Sequence, residues 1–323
     1  MNEINLQKET GTMKDEEGHI IVSLNEDDYD FYKEDNQRST GIGIDGAMHA
    51  DSFFHGSTSE GDATINRVTY NKGKTKGSII DTKKGKIIQF SSDEQGNLLV
   101  TSTGANDFGD EIDPVDEETP DRVDTDNTKQ NRLGHGRNLQ DDGSILDVMV
   151  VWTKKSECRE SNLPKGCILT STTEDNIRAL IDLAVLETNT AYTASGVDTQ
   201  LRLVHAYRHD SYDEDTGSFS NALSRISSTT DGIMDDVHGQ RTLYGADLVA
   251  LIIDHSQYCG IAYLGPSITR MFSVTARACA TGYFSFGHEI GHNLVSYKIK
   301  FVFIIQQILL MTLTSAKIYW TFS

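Results

Sequence analysis

The chain has 323 residues with 48 acidic and 29 basic side chains, a formal net charge of −19 at pH 7. That length admits two domains, and an apolar share of 37 % is enough to bury at least one core. Without a basic stripe, the charge argues against nucleic acid and anionic membranes as partners and reads as a solubilising surface.

Residues 1–143 carry 30 of the 48 acidic and 15 of the 29 basic side chains, so the excess charge is concentrated ahead of the second half. Two compositions suggest two domains. Residues 1–62 are polar and weakly patterned, with one candidate strand at His19 to Leu24 before the acidic run Glu26 to Asp30. Gly41-Ile42-Gly43-Ile44-Asp45-Gly46 fits GxGxxG, but no strand precedes it and no helical period follows, so it is expected to be a glycine-rich loop. Arg67 to Tyr70, Gly77 to Asp81, Lys86 to Phe90 and Asn97 to Thr101 are short β-prone runs between Gly, Asp and Lys turns, the pattern of an antiparallel meander. Lys72, Lys74, Lys76, Lys83, Lys84 and Lys86 sit in and beside those turns and are expected to be solvated.

Asp107 to Asp142 is dense in Asp and Glu, nearly free of apolar residues and holds two of the chain's four prolines, Pro114 and Pro120, so it reads as a disordered linker. Within it, Arg132-Leu133-Gly134-His135-Gly136-Arg137 offers arginines to a processing protease, or is ordinary linker. The expected boundaries are an acidic β-rich domain at 1–106, a linker at 107–143, an α/β domain at 144–294 and an apolar tail at 295–323.

After the linker, strands and helices alternate. Ile145 to Thr153 is an apolar run suited to a buried strand. Ser171 with Glu174 forms a capping-box pattern, followed by Ile177, Leu180, Ile181, Ala184, Ala191 and Tyr192 at helical spacing, until Gly196 ends the helix. Leu201 to Tyr207, Asp247 to Ile253 and Phe272 to Ala276 read as strands, and Phe219 to Ile226 and Ile233 to Tyr244 as short helices. That order implies an α/β sandwich around a partly parallel sheet with right-handed crossovers. His205, His209, His238 and His255 lack a second donor at ligand spacing and are expected to be ordinary surface or hydrogen-bonded histidines. All four cysteines lie in this half. Their spacing favours Cys158 with Cys167 and Cys259 with Cys279, although three pairings remain open. Disulfides imply an oxidising compartment, while Met1-Asn2-Glu3-Ile4-Asn5 begins no signal sequence, so the true start is expected upstream.

The most informative stretch is Ser285-Phe286-Gly287-His288-Glu289-Ile290-Gly291-His292-Asn293-Leu294. On a helix, HExxH places His288 and His292 one turn apart on one face, where both reach one zinc ion, with Glu289 close enough to take a proton from a water on that ion. Ile290 and Leu294, at i and i+4, suit the buried side of such a helix.

Several stretches then resemble the reprolysin-like metallopeptidases of the metzincin clan: Asp147 to Thr153, Asn189 to Tyr192 with Ser195 to Val197, Leu201 to His205, Tyr244 to Leu251, Cys259 to Leu264 and the HEIGHN run. The resemblance covers about residues 145–294 and looks closest to the microbial and algal branch. It implies an α/β, metzincin-like catalytic domain with a twisted mixed sheet and an active-site helix, preceded by a small β-rich pro-region. It further implies a secreted, zymogen-type zinc (Zn2+) metalloendopeptidase acting on protein or peptide substrates, with His288 and His292 as ligands and Glu289 as general base. The peptide is expected to lie extended along a sheet edge, with Phe272 to Ala276 as the candidate strand. No cysteine precedes Cys158, so inhibition by a pro-region must be steric or use another donor.

The clan pattern continues to a glycine, a third histidine and a methionine turn, but this chain has Val295 and Lys298 at the first two positions, and no His, Asp, Glu or Cys follows His292. A protonated lysine cannot ligate zinc, so weakened or absent activity is expected, and the alternative is a non-catalytic remnant that binds proteins. Val295-Ser296 can be encoded by an intron's consensus start, which suggests read-through into the tail. Phe301 to Leu313 is too short an apolar run for a membrane anchor. A third reading is an acidic β-rich binding module at 1–143.

Overall fold

The structure is a computed structural model that describes residues 7–115 and 145–294, apart from short breaks at 17, 25–26, 35–41, 44–46, 94–96, 105–106, 164–166, 215–216, 256–257, 266 and 268. Most of the glycine-rich loop, the arginines at 132–137, Lys298 and the tail at 295–323 therefore lie outside the described residues.

Alternating apolar side chains need a closed interior, and the first hundred residues supply one. Strands β1 (Gln7–Glu16), β2 (His19–Ser23) and β3 (Asp28–Lys33) are followed by the two-residue β4 (Ile42–Gly43) and then by β5 (Ser52–Thr58), β6 (Ala63–Tyr70), β7 (Lys74–Asp81), β8 (Lys86–Ser92) and β9 (Leu98–Gly104). All but β4 join in the order β1-β2-β3-β5-β6-β7-β8-β9 as a closed antiparallel barrel, sealed by β1 on β9 from Gln7↔Ser102 to Gly11↔Leu98. Closure removes the exposed edges that an open meander would leave. The expected meander is present as β6 to β9, while β1, β3 and β5 were not legible. In β3 the reason is plain: Tyr29 and Phe31 point inward between exposed Asp28 and Asp30, so a strand period is hidden in an acidic run. Ile20, Phe31, Ile65, Ile79, Ile88 and Val100 fill the barrel.

One of the turn lysines departs from expectation. Lys76 is buried and its Nζ donates to Glu160 Oε1 at 2.6 Å, so it ties the barrel to the second unit instead of being solvated.

That second unit comprises β10 (Ile145–Thr153), α1 (Lys154–Glu160), α2 (Ser171–Ala194), β11 (Gln200–His209), α3 (Phe219–Ser227), α4 (Asp236–Tyr244), β12 (Leu248–Ile253), β13 (Gly260–Ala262), β14 (Phe272–Ala276) and α5 (Ser285–Leu294). The sheet order is β13-β14-β12-β10-β11-β4, with all pairings parallel except β13 on β14. Helices cover both faces, as a parallel sheet requires. Ile177, Leu180 and Ala184 of α2 and Phe286 and Ile290 of α5 pack on Val148, Val150 and Ala250, while Phe219, Leu223 and Val237 of α3 and α4 pack on Met149, Val151 and Leu251.

Helix α2 is capped one residue earlier than the sequence suggested. Thr170 is the N-cap, and its hydroxyl and that of Thr173 form the reciprocal box; Glu174 instead pairs with Arg178 at 2.8 Å. The disulfides are Cys158–Cys167 and Cys259–Cys279, as the spacing favoured. Among the described residues no helix is long and apolar enough to cross a membrane.

The expected peptide-binding edge requires correction. β14 lies between β13 and β12, so its hydrogen-bonding groups are used on both sides, and the edge strand is the short β13. Nor is β13 bare: the start of the stretch expected to be linker runs along it. At the opposite edge, β4 pairs with β11 through Arg202↔Ile42 and Leu203↔Gly43.

Helix α2 carries a second apolar stripe, Ala179, Leu183 and Leu186, which meets Val68 and Tyr70 of the barrel. Two carboxyls on α2 are buried in the same contact. Asp182 accepts from the backbone N–H groups of His49 and Ala50 at 2.8 and 2.6 Å, and Glu187 accepts from Ser78 Oγ at 2.5 Å and Gly282 N–H at 2.8 Å. Burial pushes Asp182 up to about 7 and Glu187 up to about 8, against the partial relief of those hydrogen bonds.

A carboxyl whose folded-state pKa is raised binds more protons in the native state, so its contribution to stability is fully present below its unfolded value and is lost as pH rises through the folded value. The melting temperature should therefore fall as pH is raised from 5 to beyond 8, and Glu187→Gln, whose carbonyl can accept from Gly282 N–H while its amide donates to Ser78 Oγ, should melt several degrees above the parent at pH 9 while matching it near pH 5. Parallel profiles for the two proteins, followed by circular dichroism, would contradict this assignment.

Candidate functional site

Helix α5 begins after Phe284, whose φ of +63° turns the chain sharply into the helix, and Phe284's carbonyl accepts from His288 N–H at 2.9 Å. Every residue from Ser285 to Asn293 is buried. Such a helix has to approach its neighbours closely. At Gly287 an added Cβ would lie 2.8 Å from Thr188 Oγ1 of α2, and Tyr192 Oη donates to the Gly287 carbonyl at 3.0 Å. At the other end, Asn293 Nδ2 lies 2.8, 3.0 and 3.1 Å from the carbonyls of Tyr263, Arg270 and Phe272, and Gly265 N–H donates to the His292 carbonyl at 3.1 Å. These contacts fix both the rotation and the depth of α5.

The rotation brings His288 and His292 together. Their Nε2 atoms lie 3.0 Å apart, with the rings nearly perpendicular at 87°. Burial pulls His288 down to about 4; burial and then the neighbouring His288 pull His292 down to about 3. Both rings are thus neutral at physiological pH, which is the form that ligates metal. Their ligand atoms and one oxygen of Glu289 fall within 4.8 Å of one another, the one such cluster of three among the described residues. Two convergent neutral imidazoles fit zinc as two of the three protein ligands that a catalytic site normally uses.

Glu289 is fully buried, and no N–H or hydroxyl donor reaches either of its oxygens among the described residues. Burial, and then the carboxylate of Glu111 beside it, hold Glu289 well above the ordinary carboxylate range. On its other side Glu289 lies against the backbone of β13: a Cβ added at Gly260 would come within 2.3 Å of Oε1 and 2.5 Å of Cγ. The edge strand and the acidic residue of HExxH are therefore in direct contact, and only glycine leaves room for it.

The four histidines expected to be ordinary ones lie elsewhere. His205 stacks on Tyr244 at 3.7 Å, His209 Nε2 is 3.0 Å from Asp236, His238 Nε2 donates to the Ser228 carbonyl, and His255 meets the edge of Phe219. Sequence reasoning missed Gly260, Asn293 and Glu111. Gly260 and Asn293 were within quoted stretches, but their partners are distant in the chain; Glu111 was one acid in an acidic run.

Residues 179–297 match the family described as metallo-peptidase family M12B, reprolysin-like. The chain is 42 % identical over 118 residues to the peptidyl-Asp metalloendopeptidases of Stenotrophomonas maltophilia and Xanthomonas campestris pv. campestris; in each case the match covers 36 % of this chain and 28 % of the relative. A peptidyl-Asp metalloendopeptidase of Pseudomonas aeruginosa is 36 % identical over 33 % of this chain and 19 % of its own. The chain thus spans little more than a quarter of the length of the first two relatives and about a fifth of the third. A solved structure titled as a chaperone-substrate complex aligns over 72 % of this chain and 31 % of that one at 16 % identity and a TM-score of 0.34, too low to carry an argument.

The contact between Gly260 and Glu289 gives a direct test. Gly260→Ala must move the carboxylate or the strand, and overpacking of this kind costs about 1–3 kcal/mol. Urea unfolding should show a midpoint lowered accordingly. An unchanged midpoint would mean that the packing of β13 against α5 is looser than described.

Proposed function

We propose, from the premise that residues 179–297 are reprolysin-like metallopeptidase sequence, that the α/β unit is a metzincin-like catalytic domain whose work is hydrolysis of peptide bonds with zinc. The observation that carries the proposal is the buried, neutral and convergent pair His288 and His292 with Glu289 one residue along the same helix. Zinc held by the two Nε2 atoms would supply Lewis acidity to a water and to the scissile carbonyl. Glu289 takes the role of general base: it lies beside both imidazoles on the same helix, placed to accept a proton from the attacking water and to return it to the leaving amine. Gly260 lets that carboxylate lie against the edge strand, where an extended peptide would be held by backbone hydrogen bonds. The relatives' name makes peptides containing aspartate the first substrates to try.

The same reading makes residues 1–106 a pro-region and places the chain in an oxidising, extracellular setting, which its two disulfides support. It also assigns weak zinc retention and negligible peptidase activity to the sequence as it stands, because Lys298 occupies the third ligand position. The competing reading, a protein-binding remnant without catalysis, rests on that same lysine.

Two comparisons test the proposal. Replacing the residues after Leu294 by a continuation carrying glycine at 295, histidine at 298 and a methionine turn should raise both zinc retention through dialysis and cleavage of peptides; stoichiometric zinc and casein cleavage by the unaltered chain would contradict the assigned weakness. In the completed form, Glu289→Gln should keep its zinc and lose about 10²- to 10⁴-fold in kcat, as expected for removal of a general base, whereas His292→Ala should lose zinc and rate together. Retention of most of the rate by Glu289→Gln would remove Glu289 from the proposed role.

A further inference from the structure

The chain already holds a peptide along β13, and it is its own. Cys259 N–H donates to the Asp110 carbonyl at 2.9 Å, Ile112 N–H to the Gly260 carbonyl at 3.1 Å, Val115 N–H to the Ala262 carbonyl at 2.9 Å and Leu264 N–H to the Val115 carbonyl at 3.1 Å. Val115 and Tyr263 form a parallel bridge, so residues 110–115 run as an added strand on the free side of the edge. Their side chains divide accordingly: Asp110 and Asp113 are exposed, while Ile112 and Val115 pack against the core that lies under β13. Phe108 anchors the approach by stacking on Tyr283 with ring centroids 4.5 Å apart.

Between these anchors, Glu111 turns toward α5. Its Oε1 accepts from Ser285 Oγ at 2.5 Å, and its carboxyl lies beside that of Glu289. Glu111 is largely out of water, and apart from Ser285 the polar group beside its carboxyl is that of Glu289. A surface loop has no reason to desolvate a carboxyl against another carboxyl. A segment that fills a groove built for a peptide does.

We propose that residues 110–115 are a built-in occupant of the peptide groove, a strap that keeps the groove closed by strand addition, with Glu111 inserted at its catalytic end. The proposal rests on the reading of β13 and α5 as a peptidase groove. Access for a substrate then requires breaking the four backbone hydrogen bonds along β13 and withdrawing Glu111 from Ser285.

The test uses the full chain and two variants. Ile112→Pro removes the N–H that Gly260 accepts, and Glu111→Ala removes the inserted carboxyl without touching a regular element. In Ile112→Pro, hydrogen exchange should speed up by about tenfold or more at Cys259 and Leu264 while the strands of the barrel keep their protection. In both variants, diethyl pyrocarbonate should modify His288 and His292 faster than in the parent, and a synthetic peptide of residues 109–115 added to Ile112→Pro should slow it again. Unchanged histidine modification in Glu111→Ala, or unchanged exchange at Cys259 and Leu264 in a folded Ile112→Pro, would overturn the strap. Zinc binding by the opened variants, measured with the continuation that carries glycine at 295, histidine at 298 and a methionine turn, reports on the other reading: histidines that become reactive but bind no zinc would refute the zinc site and leave the strap standing, whereas zinc binding with the groove unchanged would do the reverse.

Discussion

Nothing in this fold is more constrained than a helix that is buried along its whole length while carrying two imidazoles and a carboxyl. Ser285 to Asn293 have lost water, so each polar group must be partnered or held neutral, since an isolated buried charge costs several kcal/mol. Asn293 and Tyr192 use neutral hydrogen bonds to position the helix. His288 and His292 stay neutral because burial lowers their proton affinity, and Glu289 moves in the opposite direction for the same cause. Three perturbed groups within one helical turn, with two glycines giving close approach to α2 and β13, are features of a site assembled for chemistry at the cost of stability.

Around that helix the N-terminal half is wrapped more closely than two independent domains would be. It covers both edges of the sheet, with β4 on β11 and residues 110–115 on β13, and it buries the second apolar stripe of α2 under β6. Ion pairs continue the contact: Glu160 at the end of α1 receives Lys76 from the barrel and Arg277 from the segment before α5, at 2.6 and 2.9 Å. Removing the barrel would expose Leu183 and Leu186 and leave Glu187 without Ser78. The two units are thus coupled through α2, which touches the barrel on one side and α5 on the other.

How much of this was legible depends on whether a partner was near in sequence. The HExxH helix, the long α2, the four central strands β10, β11, β12 and β14, and the β6 to β9 meander all announce themselves by period, and the structure has them close to the expected limits. Thr170 rather than Ser171 caps α2: the Thr170 and Thr173 side chains and backbone N–H groups satisfy one another, while Glu174 is engaged with Arg178. The barrel's first strands were hidden because their inward residues are sparse and separated by charge. β13 is only three residues long, too short for any pattern, and its absence from the reading moved the expected edge to β14. Glu111 belonged to a run whose composition argues for disorder; what holds it is a backbone ladder to residues nearly 150 positions away, which composition cannot report.

X-ray absorption at the zinc edge, recorded on the full chain loaded with one equivalent of zinc, tests the central claim that the buried imidazole pair is a metal site. The account predicts a first shell of nitrogen and oxygen at about 2.0–2.1 Å with the outer-shell scattering of two imidazoles, and no sulfur shell near about 2.3 Å, since all four cysteines are in disulfides. The imidazole scattering should be lost when His288 and His292 are both replaced by alanine. A spectrum with sulfur, or one that the double replacement leaves unchanged, would place the metal elsewhere and contradict the account.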